Sequence, residues 1–269
     1  IIGVSYKMDR KKYWDKTYAE YWHERVKETK VKGEKSSVIL NDPKTESDEI
    51  YKDIFEKNNF IPGSILDVGC AWGRMFDLYY NYNLDVYGVD ISYVMIEECI
   101  NNWQKKNNNN NFKISEAENI PFPDNHFNNV VCLATFDATY QDKALKEFFR
   151  VLKPEGNLYL TGKNSIYHSN DEAAIAAEIG ARKKGHPNYF TDTANMIDQV
   201  LSCKNILINS YFFERRGDFS KFNYKNSIPK YFYEYFLIFK KKELKNNFKP
   251  FSSKFSDTYN KSLKVNKSL

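Results

Sequence analysis

No run in this 269-residue sequence is long and apolar enough to cross a membrane, a span needing about 20 such residues. The first residues carry no apolar core followed by a small-residue cleavage site, so no secretory leader is expected. The numbering does not begin with Met, and Met8 is a candidate natural start. A cytoplasmic protein is the expectation. Cysteine is scarce: Cys70, Cys99, Cys132 and Cys203 stand far apart without a CxxC pair, which speaks against a disulfide framework and a zinc knuckle. His23, His126, His168 and His186 show no HxH or HxxxH spacing, so no metal site is expected. Charge of one sign is also lacking over most of the chain. The net +5 resides in the last thirty residues, where nine lysines face Glu243 and Asp257. The remaining body is near neutral, and no nucleic-acid partner is expected.

Aromatic residues are plentiful, at 16%. Residues 1–46 form an N-terminal extension in which Tyr13, Trp14, Tyr18, Tyr21 and Trp22 recur at helical spacing, as a lid or as plain core packing. Residues 47–240 read as the main domain, and 241–269 as a basic, flexible tail. Within the domain the short apolar runs SILDVGC, LDVYGVD, NNVVCLATF and NLYLTGK alternate with helix-compatible stretches at 74–82, 94–105 and 143–152. That order predicts a doubly wound α/β fold around a mostly parallel sheet. Two aromatic runs, 206–216 and 231–240, follow and are expected to pair antiparallel.

The chemistry is written in ILDVGCAWGR, residues 65–74. An acid, Asp67, closes a buried strand, and Gly69 and Gly73 flank the turn into a helix. Glycine there lets backbone approach a ligand, and the helix start offers unpaired amides. A carboxylate at such a place requires a partner, for which an ammonium group is a candidate. Asp90 ends the next strand, where a carboxylate can accept two hydrogen bonds from a ribose diol. A nicotinamide enzyme also places an acid there. It requires G-x-G-x-x-G, however, and the loop Gly69-Cys70-Ala71-Trp72-Gly73 lacks that spacing. The loop favours a nucleoside carrying an amino acid.

LDVGCAWGR, VYGVDIS, SEAENIPFPDNHFNNVV and RVLKPEGNLYLTG together resemble the successive motifs of class I S-adenosylmethionine methyltransferases over residues 60–165. The resemblance implies a Rossmann-like seven-stranded sheet with a final antiparallel strand. It also implies S-adenosylmethionine as cofactor, with S-adenosylhomocysteine as product. Asp67, Gly69 and Gly73 would then hold the methionine part and Asp90 the ribose. Ile91 would pack on adenine and Glu116 and Ala117 meet its edge, with Cys70, Ala71 and Glu118 as further cofactor-binding candidates. Two departures stand out: Ala71 replaces a usual glycine and Glu116 a usual aspartate.

Methyl transfer is an in-line displacement, so alignment and exclusion of water dominate. A hydroxyl acceptor needs a general base, and the candidates are Asp137, His168 and His186. Tyr13, Tyr21, Arg182 and Arg215, with Lys183, Lys184 and Arg216, are candidate acceptor contacts, the arginines suiting a phosphorylated small molecule. KKYWDKTYAEYWHERV and RKKGHPNYFTD further resemble methyltransferases of bacterial surface-polysaccharide pathways, including those forming capsular O-methyl phosphoramidate. That resemblance implies O-methylation of a nucleotide-linked phosphoramidate or sugar. The alternatives are an RNA or protein methyltransferase and a non-catalytic cofactor-binding protein.

Overall fold

A computed structural model describes residues 10–18, 46–103, 111–183, 186–243 and 246–254. Seven strands form one sheet: β1 (Ser64–Val68), β2 (Asp85–Asp90), β3 (Phe112–Ile114), β4 (Phe127–Cys132), β5 (Leu152–Lys163), β7 (Ile206–Phe213) and β8 (Glu234–Lys240). Their order is β3-β2-β1-β4-β5-β8-β7. Strands β1 to β5 run parallel, and β8 is inserted antiparallel between β5 and β7. The chain order reverses between β1 and β4, which opens a crevice beyond their carboxyl ends, where ligands of such sheets bind.

Helices cover both faces: α2 (Glu46–Lys57), α3 (Phe76–Asn81), α4 (Tyr93–Trp103), α5 (Gln141–Val151), α6 (Glu172–Lys183) and α7 (Thr193–Ser202). A short α1 (Arg10–Lys12) continues as a π-helical turn, Tyr13–Tyr18. The central strands are apolar on both sides because both sides are covered. Ile65 packs with Phe55, Phe76, Tyr79 and Trp103 on one face. Leu66 and Val68 pack with Leu145, Phe148 and Phe149 of α5 on the other. Among the described residues no helix is long and apolar enough to cross a membrane.

The aromatic runs form the antiparallel pair β7 and β8, each shorter than its run because the ends leave the sheet as loops. Helices α6 and α7 went unread in the sequence, although each carries a start signal: Asp171 accepts from the amide of Ala174 at 3.1 Å and Asp192 from that of Asn195 at 3.2 Å. Part of the basic C-terminal segment packs against the domain. Phe248 and Phe251 are buried in the same core as Phe149 and Phe239, and β9 (Ser252–Lys254) pairs antiparallel with β6 (Tyr189–Thr191). Two phenylalanines three residues apart anchor a stretch whose lysines dominate its composition. Lys241 is itself buried, donating to the carbonyl of Leu152 at 2.6 Å and to Asn125 Oδ1 at 2.8 Å. Residues 255–269, and positions 19–45 of the N-terminal extension, lie outside the described residues.

Candidate cofactor and acceptor site

A cavity of about 500 Å³ occupies the crevice, within the ~300–1,000 Å³ usual for small-molecule sites. Its floor is the loop after β1. Gly69, Ala71 and Gly73 have left-handed backbone, with φ of 77°, 47° and 82°. The amides of Gly69 and Cys70 both donate to the carbonyl of Val89, at 2.8 and 3.1 Å, which ties this loop to β2. A Cβ on Gly69 would stand 2.3 Å from Thr135 Oγ1, so glycine is required by space as well as by φ. Gly73 does not reach the cavity wall as expected. It is pressed against the Trp103 ring, 2.4 Å from Nε1 for a Cβ, and serves the turn.

Ala71 adopts a conformation that costs a non-glycine residue roughly 1–2 kcal/mol, and glycine gives back roughly 0.5–1 kcal/mol of that in unfolded-chain entropy. Ala71→Gly is therefore expected to stabilise the protein by up to about 1 kcal/mol in urea titrations. A clear loss of stability would show that the methyl group packs better than its backbone is strained.

Two carboxylates end β1 and β2. Asp67 is buried on the cavity wall and accepts from the Tyr79 hydroxyl at 3.3 Å. Burial pushes its acid up to about 7, with nearby Asp90 adding to the shift and the Tyr79 bond opposing it. Asp90 accepts from the amide of Ala71 at 3.0 Å and from that of Ser92 at 2.9 Å. Burial pushes it up to about 6 against those two bonds. Each oxygen has a further lone pair.

Ile91, Ser115, Ala117 and Glu118 form the next stretch of wall. Glu116, expected there, is instead exposed, with 55% of its side chain open, and lies outside the cavity. Its place is taken by Glu118, drawn inward by Arg10 at 2.7 Å and by the amide of Tyr140. The other oxygen of Glu118, Oε2, is buried and has no hydrogen bond among the described residues. Arg10 is buried too, bonding the carbonyl of Ala138 at 3.2 Å and lying 4.2 Å from the centre of the Tyr140 ring. With Trp14 and His186 it brings the N-terminal segment to the cavity wall.

The far end of the cavity is charged. Lys163, the last residue of β5, pairs with Asp137 and with Glu178 of α6, both at 3.1 Å. Glu178 also accepts from the Tyr233 hydroxyl and from Asn188 Nδ2. Arg216 Nη1 donates to the Tyr233 oxygen at 3.1 Å, and Glu234 opens β8 beside Lys163, its partner in register. Asp137, Lys163, Arg216 and Glu234 all line the cavity.

Of the expected catalytic residues, Asp137 and His186 are on the wall and His168 is not: it faces Glu214 at 3.8 Å and the Tyr231 ring. Tyr13 lies behind the wall, its hydroxyl 3.2 Å from His186 Nδ1, and Trp14 takes the place expected for it. Arg182 is exposed on α6 and Arg215 also misses the cavity, because the turn after β7 points its neighbour Arg216 inward. Tyr21 and Lys184 lie outside the described residues. Lys163, Glu178 and Glu234 escaped sequence reasoning; for Lys163 and Glu234 the one available signal was a charged residue at a strand end. No group of three or more His, Cys, Asp or Glu residues that could hold a metal occurs among the described residues.

Residues 66–160 match the family model described as "Methyltransferase domain". With this sheet order and crevice, residues 66–160 are similar to the class I methyltransferase domain, the class whose methyl donor is S-adenosylmethionine. Among curated proteins it is similar to the ubiquinone/menaquinone biosynthesis C-methyltransferase UbiE of Neisseria gonorrhoeae, with 49% identity over 109 residues, covering 37% of this chain and 44% of that protein. The chain thus spans less than half the length of the curated relatives it matches. Among solved structures, the YcgJ protein of Bacillus subtilis superposes with a TM-score of 0.53 at 18% identity, covering 72% of this chain and 99% of that one. A chain from the complex of the Haloferax volcanii Trm112 methyltransferase activator with a methyltransferase gives 0.55 at 12% identity, covering 89% and 100%. At such identities the likeness shows the fold.

Proposed function

We propose that this protein transfers a methyl group from S-adenosylmethionine to a hydroxyl of a small polar molecule. One observation carries the reading: a single cavity joins two strand-end carboxylates, Asp67 buried and Asp90 half-buried, to a charged pole lined by a second set of ionisable residues. The bound donor would supply a methyl group on a positively charged sulfur. The residues present fit it. Asp67 meets the ammonium, whose charge compensates a carboxylate that burial otherwise disfavours. Asp90 keeps a lone pair on each oxygen for the ribose diol, and Ile91 and Ala117 flank adenine. The unsatisfied Glu118 Oε2 suits the exocyclic amine. Arg10 and Trp14, on the N-terminal segment, exclude water from above.

The narrower expectation, O-methylation of a nucleotide-linked sugar or phosphoramidate in capsule biosynthesis, rests on sequence resemblance. The cavity supports its hydroxyl half. It supports a phosphate group less, since Lys163 is held between two carboxylates and Arg182 and Arg215 stand outside. A second reading, C-methylation in quinone biosynthesis, draws on the name of the Neisseria relative. The charged pole disfavours an apolar acceptor.

Calorimetry with S-adenosylhomocysteine, followed by transfer of labelled methyl into candidate alcohols and quinone precursors, tests the proposal. Micromolar binding and a product with the carbon NMR shift of an O-methyl group are expected. A methyl signal on carbon would move the assignment to the second reading, and absence of binding to the folded protein would end both.

A further inference from the structure

Three carboxylates border the acceptor pole, and two are already held. Asp137 is paired with Lys163, and Glu178 with Lys163, Tyr233 and Asn188. Glu234 differs. It lines the cavity from the first position of β8, and its carboxylate has no hydrogen bond or ion pair among the described residues. Charged groups from four elements surround it. Lys163 on β5 and Arg216 after β7 favour its ionised form, while Asp137 after β4 and Glu178 on α6 oppose it.

Building on the methyltransferase reading, we propose that Glu234 is the catalytic residue that takes the acceptor's hydroxyl proton, with Lys163 and Arg216 as positioning residues that keep it charged until then. The acceptor oxygen bonds to the methyl carbon as its O–H bond breaks. The carbon–sulfur electron pair stays on sulfur, which becomes neutral, and the proton passes to the Glu234 carboxylate and then to water. Asp137, expected as the base, is a poorer choice because Lys163 already occupies it. Burial, the largest influence on Glu234, pushes its acid up to about 7. Both protonation states are therefore populated near neutrality, as a base that must recycle requires.

The test has two arms. In the complex with S-adenosylhomocysteine, carbon-13 NMR of labelled glutamate side chains should show one resonance titrating near pH 7 that is absent from Glu234→Gln. With glycerol, glucose and ethanolamine as hydroxyl probes, Glu234→Gln should lower kcat by about 10²–10⁴-fold. It should also lose the acid limb of the pH profile, keep wild-type affinity for S-adenosylhomocysteine, and be partly rescued in Glu234→Asp. A Glu234 signal that does not titrate near neutrality overturns the proposal, as does a Gln variant with wild-type kcat and acid limb. Should none of the probes be methylated, or the Gln variant fail to fold, the titration of the wild type against Glu234→Asp decides. Failure of the wild type to bind S-adenosylhomocysteine would bring down the methyltransferase reading instead.

Discussion

Replacing Lys163 with Met is expected to destabilise the protein by about 3–5 kcal/mol, the usual cost of removing one partner from a buried ion pair. Among the described residues the lysine is the sole cation paired with both Asp137 and Glu178, and the three side chains are only 19%, 10% and 1% exposed. Methionine fills most of the space but leaves two negative charges without their counter-charge. Tyr233 and Asn188 remain on Glu178 and soften the loss there; Asp137 has no such reserve among the described residues. In a domain of this size the change corresponds to a fall in Tm of roughly 6–20 °C. Thermal and urea denaturation of Lys163→Met beside Lys163→Arg would measure it. A loss below about 1 kcal/mol would mean that water reaches the carboxylates and the pole is less enclosed than its burial indicates.

Affinity for S-adenosylhomocysteine should weaken by roughly tenfold for each pH unit below 7, approaching a hundredfold by pH 5. In the proposed site the ligand's ammonium requires Asp67 ionised, and in the free protein burial holds that acid at about 7. Binding near neutrality should therefore release a proton, visible as a buffer-dependent enthalpy in calorimetry. The stability of the free protein has the opposite sign. A carboxyl raised from its ordinary 3.8 to about 7 binds a proton more readily in the folded state. Through this group alone the fold gains stability as pH falls across that window. Loss of affinity without loss of Tm is thus the signature. Affinity flat between pH 5 and 8 would place the ammonium elsewhere.

The half of the cavity proposed for the donor was legible in the sequence as a set of wall residues because its geometry is local. A strand that must end in a turn with left-handed backbone shows its glycines, and carboxylates at two successive strand ends reveal themselves by position. That Glu118 and not Glu116 lines the cavity has a physical cause: in SEAEN either acid could turn inward, and Arg10, more than a hundred positions away, stands 2.7 Å from Glu118 and 3.7 Å from Glu116. His168 and Arg215 stand outside the cavity for a related reason. Both have chemistry suited to an active site, but the turns that aim them are set by packing around Glu214 and Tyr231 or by the Asp218 side chain capping the Arg215 amide. The charged pole was hidden because Lys163 and Glu234 meet only through the register of β5 with β8. No motif carries a register between strands so distant in the chain.

The reversed direction of β8 carries a consequence for how such a protein can change. Because that strand runs against its neighbours, its opening residue arrives at the same rim as the closing residue of β5. Of the pole's ionisable groups, Asp137 alone falls within the 66–160 segment that matches the methyltransferase family; Lys163, Glu178, Arg216 and Glu234 all follow it. On the proposed assignment, donor and acceptor recognition lie on separable stretches of polypeptide. A lineage could then redraft the chain after residue 160 and acquire a new acceptor while the earlier part keeps the same methyl donor.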